Sequence, residues 1–297
     1  MAIPILKNWK NYFEDEDEGL GSSYERVVLN KKLQTICKHF AVKNVLEIPS
    51  FGFTGISGIN SVQLAKNGIS VSLADHEKER LKLIESIWEK LNLNFHGEYL
   101  PDYNSLPFED NQFDFSWNFS ALWFVENLET FLTELARVTS KVIFINVPNR
   151  AGIGFLSQKM LGKNELKNLL KEENIFPENI KKTMHKLNWQ LIYSDFIDCP
   201  PWPDIGMSKE NFLKIFGLDW LIKNKEQKSI SIMNFYKGIE PDFEQRMMKY
   251  YWFEKSVPNF VKRFWAHHRY FLFIPEKNKL NTENIPIQSF LLTGQAE

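Results

Sequence analysis

The clearest chemistry in the chain lies in one run, Val45-Leu46-Glu47-Ile48-Pro49-Ser50-Phe51-Gly52-Phe53-Thr54-Gly55-Ile56-Ser57-Gly58. A short apolar strand over 44 to 49 enters a glycine-spaced turn, and residues 59 to 67 then read as a helix that Gly68 stops. Such a strand, turn and helix brings backbone N–H groups close to a ligand, because glycine removes the side chains that block approach. A second carboxylate, Asp75, stands 28 positions after Glu47 at the end of the next strand. There it can accept hydrogen bonds from both hydroxyls of a ribose; its plainer role is to cap the helix that follows. These two features serve a dinucleotide, a flavin or S-adenosylmethionine equally.

A third segment separates those ligands: Asp102-Tyr103-Asn104-Ser105-Leu106-Pro107-Phe108-Glu109-Asp110-Asn111-Gln112-Phe113-Asp114-Phe115-Ser116-Trp117-Asn118. It resembles the class I S-adenosylmethionine-dependent methyltransferases, in particular the small-molecule (type 11-like) group with a D-x-x-x-L-P-F-x-D-x-x-F-D stretch before the fourth strand. The resemblance covers residues 44 to 147, including Leu-Ala-Arg-Val at 135 to 138. It implies S-adenosylmethionine as cofactor, with Glu47 near the methionine amino group and Asp75 on the ribose. Asp102 would hydrogen-bond the adenine amino group, and Tyr103 is a further candidate cofactor contact. Pro49, Ser50, Phe51, Gly52 and Gly55 would form the turn under the cofactor, and Asn118, at the carboxyl end of the fourth strand, lies where open α/β sheets bind ligands.

The pattern also departs from the family. Pro49 and Phe51 stand where the usual motif has glycine, and the glycines fall later, so the turn is longer or reshaped and lacks the N–H of Pro49. Trp123-Phe124 replaces a common Glu-His pair, which removes a histidine sometimes placed near the acceptor. A sulfonium cofactor carries its own activation, so the protein chiefly aligns the acceptor and excludes water. A general base is needed only where the acceptor must lose a proton. His267 and His268, just before the seventh strand, are the candidates for that role, against the plainer reading as packing residues. Arg26, Arg150 and Trp202 are the candidate acceptor contacts, the arginines for one carboxylate or phosphate and Trp202 for an apolar wall. A catalytically silent Rossmann-like binding module and a nicotinamide-dependent oxidoreductase are the competing functions. The second leaves Leu106 to Asp114 unexplained.

The elements that must position these groups follow from periodicity. Strands are expected over 44 to 49, 69 to 74, 94 to 100, 113 to 118, 141 to 147, 189 to 197 and 269 to 275. Helical stretches follow the first, second and fourth strands, the latter two amphipathic, and 141 to 147 is the continuous apolar run of a strand buried on both faces. The alternation indicates a doubly wound α/β fold. The resemblance implies seven strands in the order 3-2-1-4-5-7-6 with the last antiparallel. Residues 1 to 40 read as a helical appendage, with an acidic run from Glu14 to Glu18 expected at the surface and a break at Gly19-Leu20-Gly21 before a helix near Tyr24 to Phe40. The cofactor-binding core spans 41 to 200 and 266 to 277. Residues 201 to 265 form a mainly helical, aromatic-rich insertion that could close over an acceptor, and 278 to 297 form a tail.

Charge narrows the partners. Lys plus Arg (36) nearly cancels Asp plus Glu (37), which gives no broad basic field for a nucleic acid. The expected partner is therefore a small-molecule acceptor, one with aromatic or lipid-like character given that 14% of residues are aromatic and crowd between Trp202 and Trp265. Cys37 and Cys199 form no ligand spacing, so no metal is expected, and they fit a reducing compartment. With no signal peptide or long apolar run in view, the expected location is cytoplasmic.

Overall fold

The computed structural model describes residues 2–16, 18–51, 55–161, 171–202 and 230–277. Seven strands form one sheet: β1 (Asn44–Glu47), β2 (Ser70–Asp75), β3 (His96–Tyr99), β4 (Phe113–Phe119), β5 (Thr139–Pro148), β6 (Trp189–Ile197) and β7 (His268–Pro275). Their order is β3-β2-β1-β4-β5-β7-β6. The first five pair in parallel, and β7 runs antiparallel to both β5 and β6. This is the order and direction that the resemblance implied, and it gathers the carboxyl ends of β1, β2, β4 and β5 along one edge.

Local sequence explains most of the elements. Within β5, Val142 to Val147 are buried throughout except that Asn146 is polar, as expected of a strand covered on both faces. Helix α5 (Leu128–Val138) puts Phe131, Leu132, Leu135 and Val138 on one buried face and is capped by the Asn127 side chain, which accepts from the Thr130 N–H. Helix α4 (Lys78–Lys90) buries Leu81, Ile84, Ile87 and Trp88. It begins at Lys78 with Glu77 as its cap, and the Asp75 carboxylate takes the Glu77 N–H just before it. Helix α3 is short, Val62–Lys66.

Two expectations for the amino-terminal region are corrected. Gly19-Leu20-Gly21 does not break the chain; it is the first turn of α2 (Gly19–His39), which follows α1 (Ala2–Asp15). The acidic run is not wholly solvated either, since Glu18 is buried against Arg26 while Glu14 and Asp15 stay exposed. A carboxylate leaves water where a guanidinium and backbone N–H groups replace its hydration. Tyr24, Val27, Val28, Leu29, Leu33 and Ile36 of α2 join the same core as Phe115, Trp117 and Phe144 of the sheet. In the 201 to 265 region, four short helices are described, α6 (Ile232–Tyr236), α7 (Phe243–Met248), α8 (Tyr251–Ser256) and α9 (Asn259–Trp265). Their buried Tyr236 and Phe243 pack in the core that contains α2, and residues 203 to 229 lie outside the described chain. No described helix is long and apolar enough to cross a membrane.

Candidate functional site

At the end of β1, Glu47 is 1% exposed; its carboxylate accepts from the Ser61 hydroxyl at 2.6 Å and the Asn60 amide at 3.2 Å. Burial outweighs these hydrogen bonds and pushes its pKa up to about 7. Both partners are neutral, so the group has no ion pair of its own among its direct contacts. Asn60 links it to the amino-terminal helices, because its side-chain oxygen accepts from Arg26. Arg26 also donates to the Ile56 carbonyl at 2.6 Å and to both oxygens of Glu18, whose Oε1 takes the Ile56 N–H at 2.7 Å. The Glu18 carboxylate thus lies in the crook of the glycine turn. A Cβ on Gly55, at φ 40°, would stand 2.1 Å from it, so any larger residue would push the Glu18 carboxylate out of place. Arg26 is therefore held on the glycine turn. Gly52 lies outside the described residues.

The turn opens with Pro49, and the Ser50 N–H reaches back to the Ala74 carbonyl at 2.9 Å. The Ser50 hydroxyl donates to Asp75 at 2.7 Å, and Arg80 donates to both oxygens of the same carboxylate at 2.9 and 2.5 Å. Asp75 is fully buried, and each of its oxygens already has protein donors. Phe51 lies over the Arg80 guanidinium at 3.9 Å, and Trp9 of α1 approaches it at 5.2 Å. The ribose contact expected of Asp75 thus competes with an internal arginine, and Phe51 roofs that pair. Asp102 is exposed and takes the Asn104 N–H with one oxygen. Tyr103 is buried, with its hydroxyl 2.9 Å from His76 Nδ1.

A second polar cluster lies at the ends of β4 and β7. Asn118 is fully buried, and both its amide nitrogen and its oxygen lack a partner among the described residues. Two residues on, Ser120 adopts a left-handed backbone, φ 51°, rarely held by serine. Its hydroxyl donates to Asn146 Oδ1 at 2.9 Å and lies 2.6 Å from His268 Nδ1. The other ring nitrogen of His268 is 3.1 Å from Glu25 Oε2 on α2. Glu25 is pushed up to about 7, burial outweighing the pull of His268. His267 instead meets Asp198. Of the two histidines singled out by sequence, His268 is thus the one joined to the strand-end cluster. Arg150 stacks on Phe176 at 3.6 Å, and Trp202 meets Tyr24 and Tyr250 edge-on. Glu25, Ser120 and Asp198 escaped the sequence reading. Strand-end position was the available signal for Ser120 and Asp198, and for Glu25 it was its place beside the candidate Arg26.

Residues 54–142 match a family model described as a methyltransferase domain. That stretch is thus similar to a methyltransferase domain, and it lies in a sheet with the strand order the resemblance implied. A Galdieria sulphuraria protein named as a sarcosine dimethylglycine methyltransferase shares the fold at 14% identity and TM-score 0.51, over 83% of this chain and 84% of that one. An S-adenosylmethionine-dependent methyltransferase structure from Methanococcus maripaludis is 21% identical over 63% of this chain and 87% of that one, with TM-score 0.44. None of the curated proteins matches the chain in sequence. S-adenosylmethionine is the cofactor such a domain implies, and the residues present fit its methionine end. Glu47 is a buried carboxylate with neutral partners only, and Asn118 offers an unpartnered donor and acceptor.

Proposed function

We propose that the protein transfers a methyl group from S-adenosylmethionine to a small, partly apolar acceptor. The observation that carries this reading is Glu47: a buried carboxylate without a cationic partner in direct contact, at the end of β1, in a sheet of methyltransferase order. When bound, the cofactor supplies a methyl group on a sulfonium leaving group. Glu47 accepts hydrogen bonds from the cofactor's ammonium, and that charge draws its proton off. Asn118 uses its free amide to fix a ligand at the end of β4. Asp102, with one oxygen on Asn104 and the other open, meets the adenine amino group. Arg80 neutralises Asp75, and the 49 to 55 turn is held to β2 through Ser50. The acceptor lies against Asn118, Ser120 and His268, where α2 supplies Glu25 and Tyr24. Apolar character follows from the neighbouring rings, Phe119 4.7 Å from His268 and Trp202 5.7 Å from Tyr24.

Calorimetric titration of the full chain with S-adenosylmethionine and with NAD tests this directly. One site for S-adenosylmethionine and no heat from NAD is the expected outcome; the reverse would replace the reading with an oxidoreductase. Incubation with a metabolite extract should then give an acceptor heavier by one methylene unit. Tight cofactor binding with no such product in any extract would favour the silent binding module.

A further inference from the structure

We propose that Glu25, Asp198 and His268 form a divalent metal site at the acceptor end of the sheet. The three residues come from α2, the segment after β6 and the start of β7, and one ligand atom from each lies within 4.8 Å of the others. They are 5%, 2% and 7% exposed. Two carboxylates brought out of water this far need a cation or donors to replace their lost hydration. Here the replacement is incomplete. Glu25 Oε1 and Asp198 Oδ1 are buried and have no hydrogen-bond partner among the described residues.

The hydrogens around His268 point the same way. Ser120 has one hydroxyl hydrogen, which is directed to Asn146 Oδ1, so its lone pair receives Nδ1–H of His268. In the neutral ring this leaves Nε2 with a lone pair facing Glu25 Oε2 at 3.1 Å, two acceptors that a bound metal ion, like a proton, can bridge. A ring held through one nitrogen and presenting the other is how proteins orient a metal-binding histidine. Asp198 is held in the same manner by His267 through its second oxygen. Two carboxylate oxygens and one imidazole nitrogen suit manganese or zinc. Three protein ligands leave open positions for ligand atoms. The site stands on its own geometry, while its role rests on the methyl-transfer reading: the metal would hold an acceptor through a hydroxyl or carboxylate oxygen.

The test uses the full chain, stripped with EDTA and dialysed, then titrated with Mn²⁺ by electron paramagnetic resonance and with Zn²⁺ by calorimetry. One equivalent bound at low micromolar dissociation constant is expected, with modulation from an imidazole nitrogen in the Mn²⁺ spectrum. Glu25→Gln and Asp198→Asn should each weaken binding at least tenfold, whereas Glu172→Gln, at the exposed pair with Lys159, should not change it. Lack of stoichiometric binding at millimolar metal would overturn the site. So would binding that both variants leave intact, or a Mn²⁺ spectrum without the nitrogen signal. The spectrum needs only the wild-type chain, so it decides even if a variant fails to fold. A chain that binds metal but not S-adenosylmethionine would sink the methyl-transfer reading alone; the opposite result would sink this site alone.

Discussion

Glu47 joins stability to binding through one proton. Its folded pKa stands near 7, above the ordinary carboxylate value of 4.5, because burial disfavours the charge. The native state therefore holds this proton more tightly than the unfolded chain does. The sign follows: the contribution is complete below about pH 4.5 and is lost as pH rises through about 7. Glu47→Gln keeps a partner for Ser61 and Asn60 and removes the titration. In urea unfolding, wild type should lose about 1 to 3 kcal/mol relative to Glu47→Gln between about pH 5 and pH 8. The same variant should bind S-adenosylmethionine at least tenfold more weakly, because a neutral amide cannot pair with an ammonium. A constant stability difference across pH would mean that Glu47 is ionised in the free protein.

Among the elements, the glycine turn depends on α4 as much as on β1. Gly58 has φ 72°, and a Cβ there would meet three atoms of Ile84 at 2.5 to 2.8 Å; its carbonyl accepts from Trp88 Nε1 at 2.8 Å. Gly68 shares the left-handed backbone, φ 81°, but faces open space. The pair separates strain from crowding. Gly68→Ala should cost about 1 kcal/mol, the penalty of a left-handed alanine. Gly58→Ala should cost at least about 2 kcal/mol, since it adds overpacking, and should change the fluorescence of Trp88. Equal losses would show that Ile84 yields freely and that α4 does not brace the turn.

For the whole molecule, the question is whether residues 1 to 40 are an attachment or part of the core. Six apolar side chains of α2, from Tyr24 to Ile36, are at most 1% exposed. At about 1.5 to 3 kcal/mol for each buried apolar side chain, their loss matches or exceeds the 5 to 15 kcal/mol roughly typical of a domain's net stability. A fragment from residue 41 onward should therefore show no cooperative thermal unfolding by circular dichroism. A sharp transition in that fragment would establish the sheet as an independent unit with α2 docked on it.

Sequence by itself determined the strands, their alternation with helices and the turn between Glu47 and Gly58. Those features are set by contacts near in the chain, where apolar periodicity and glycine spacing report which face is buried. The order of the sheet came with the family resemblance, carried by Asp102 to Asn118. Tertiary structure alone decided how the charged residues are used. Arg26 closes on Glu18 and the glycine turn, and Arg80 occupies Asp75, because burying either carboxylate required a partner within reach. Glu25 and His268 are 243 positions apart, and Ser120 and His268 148. No local spacing encodes such a meeting; it exists because β7 enters the sheet beside β5 in the opposite direction, which sets its first residue against the end of β4 and the buried face of α2.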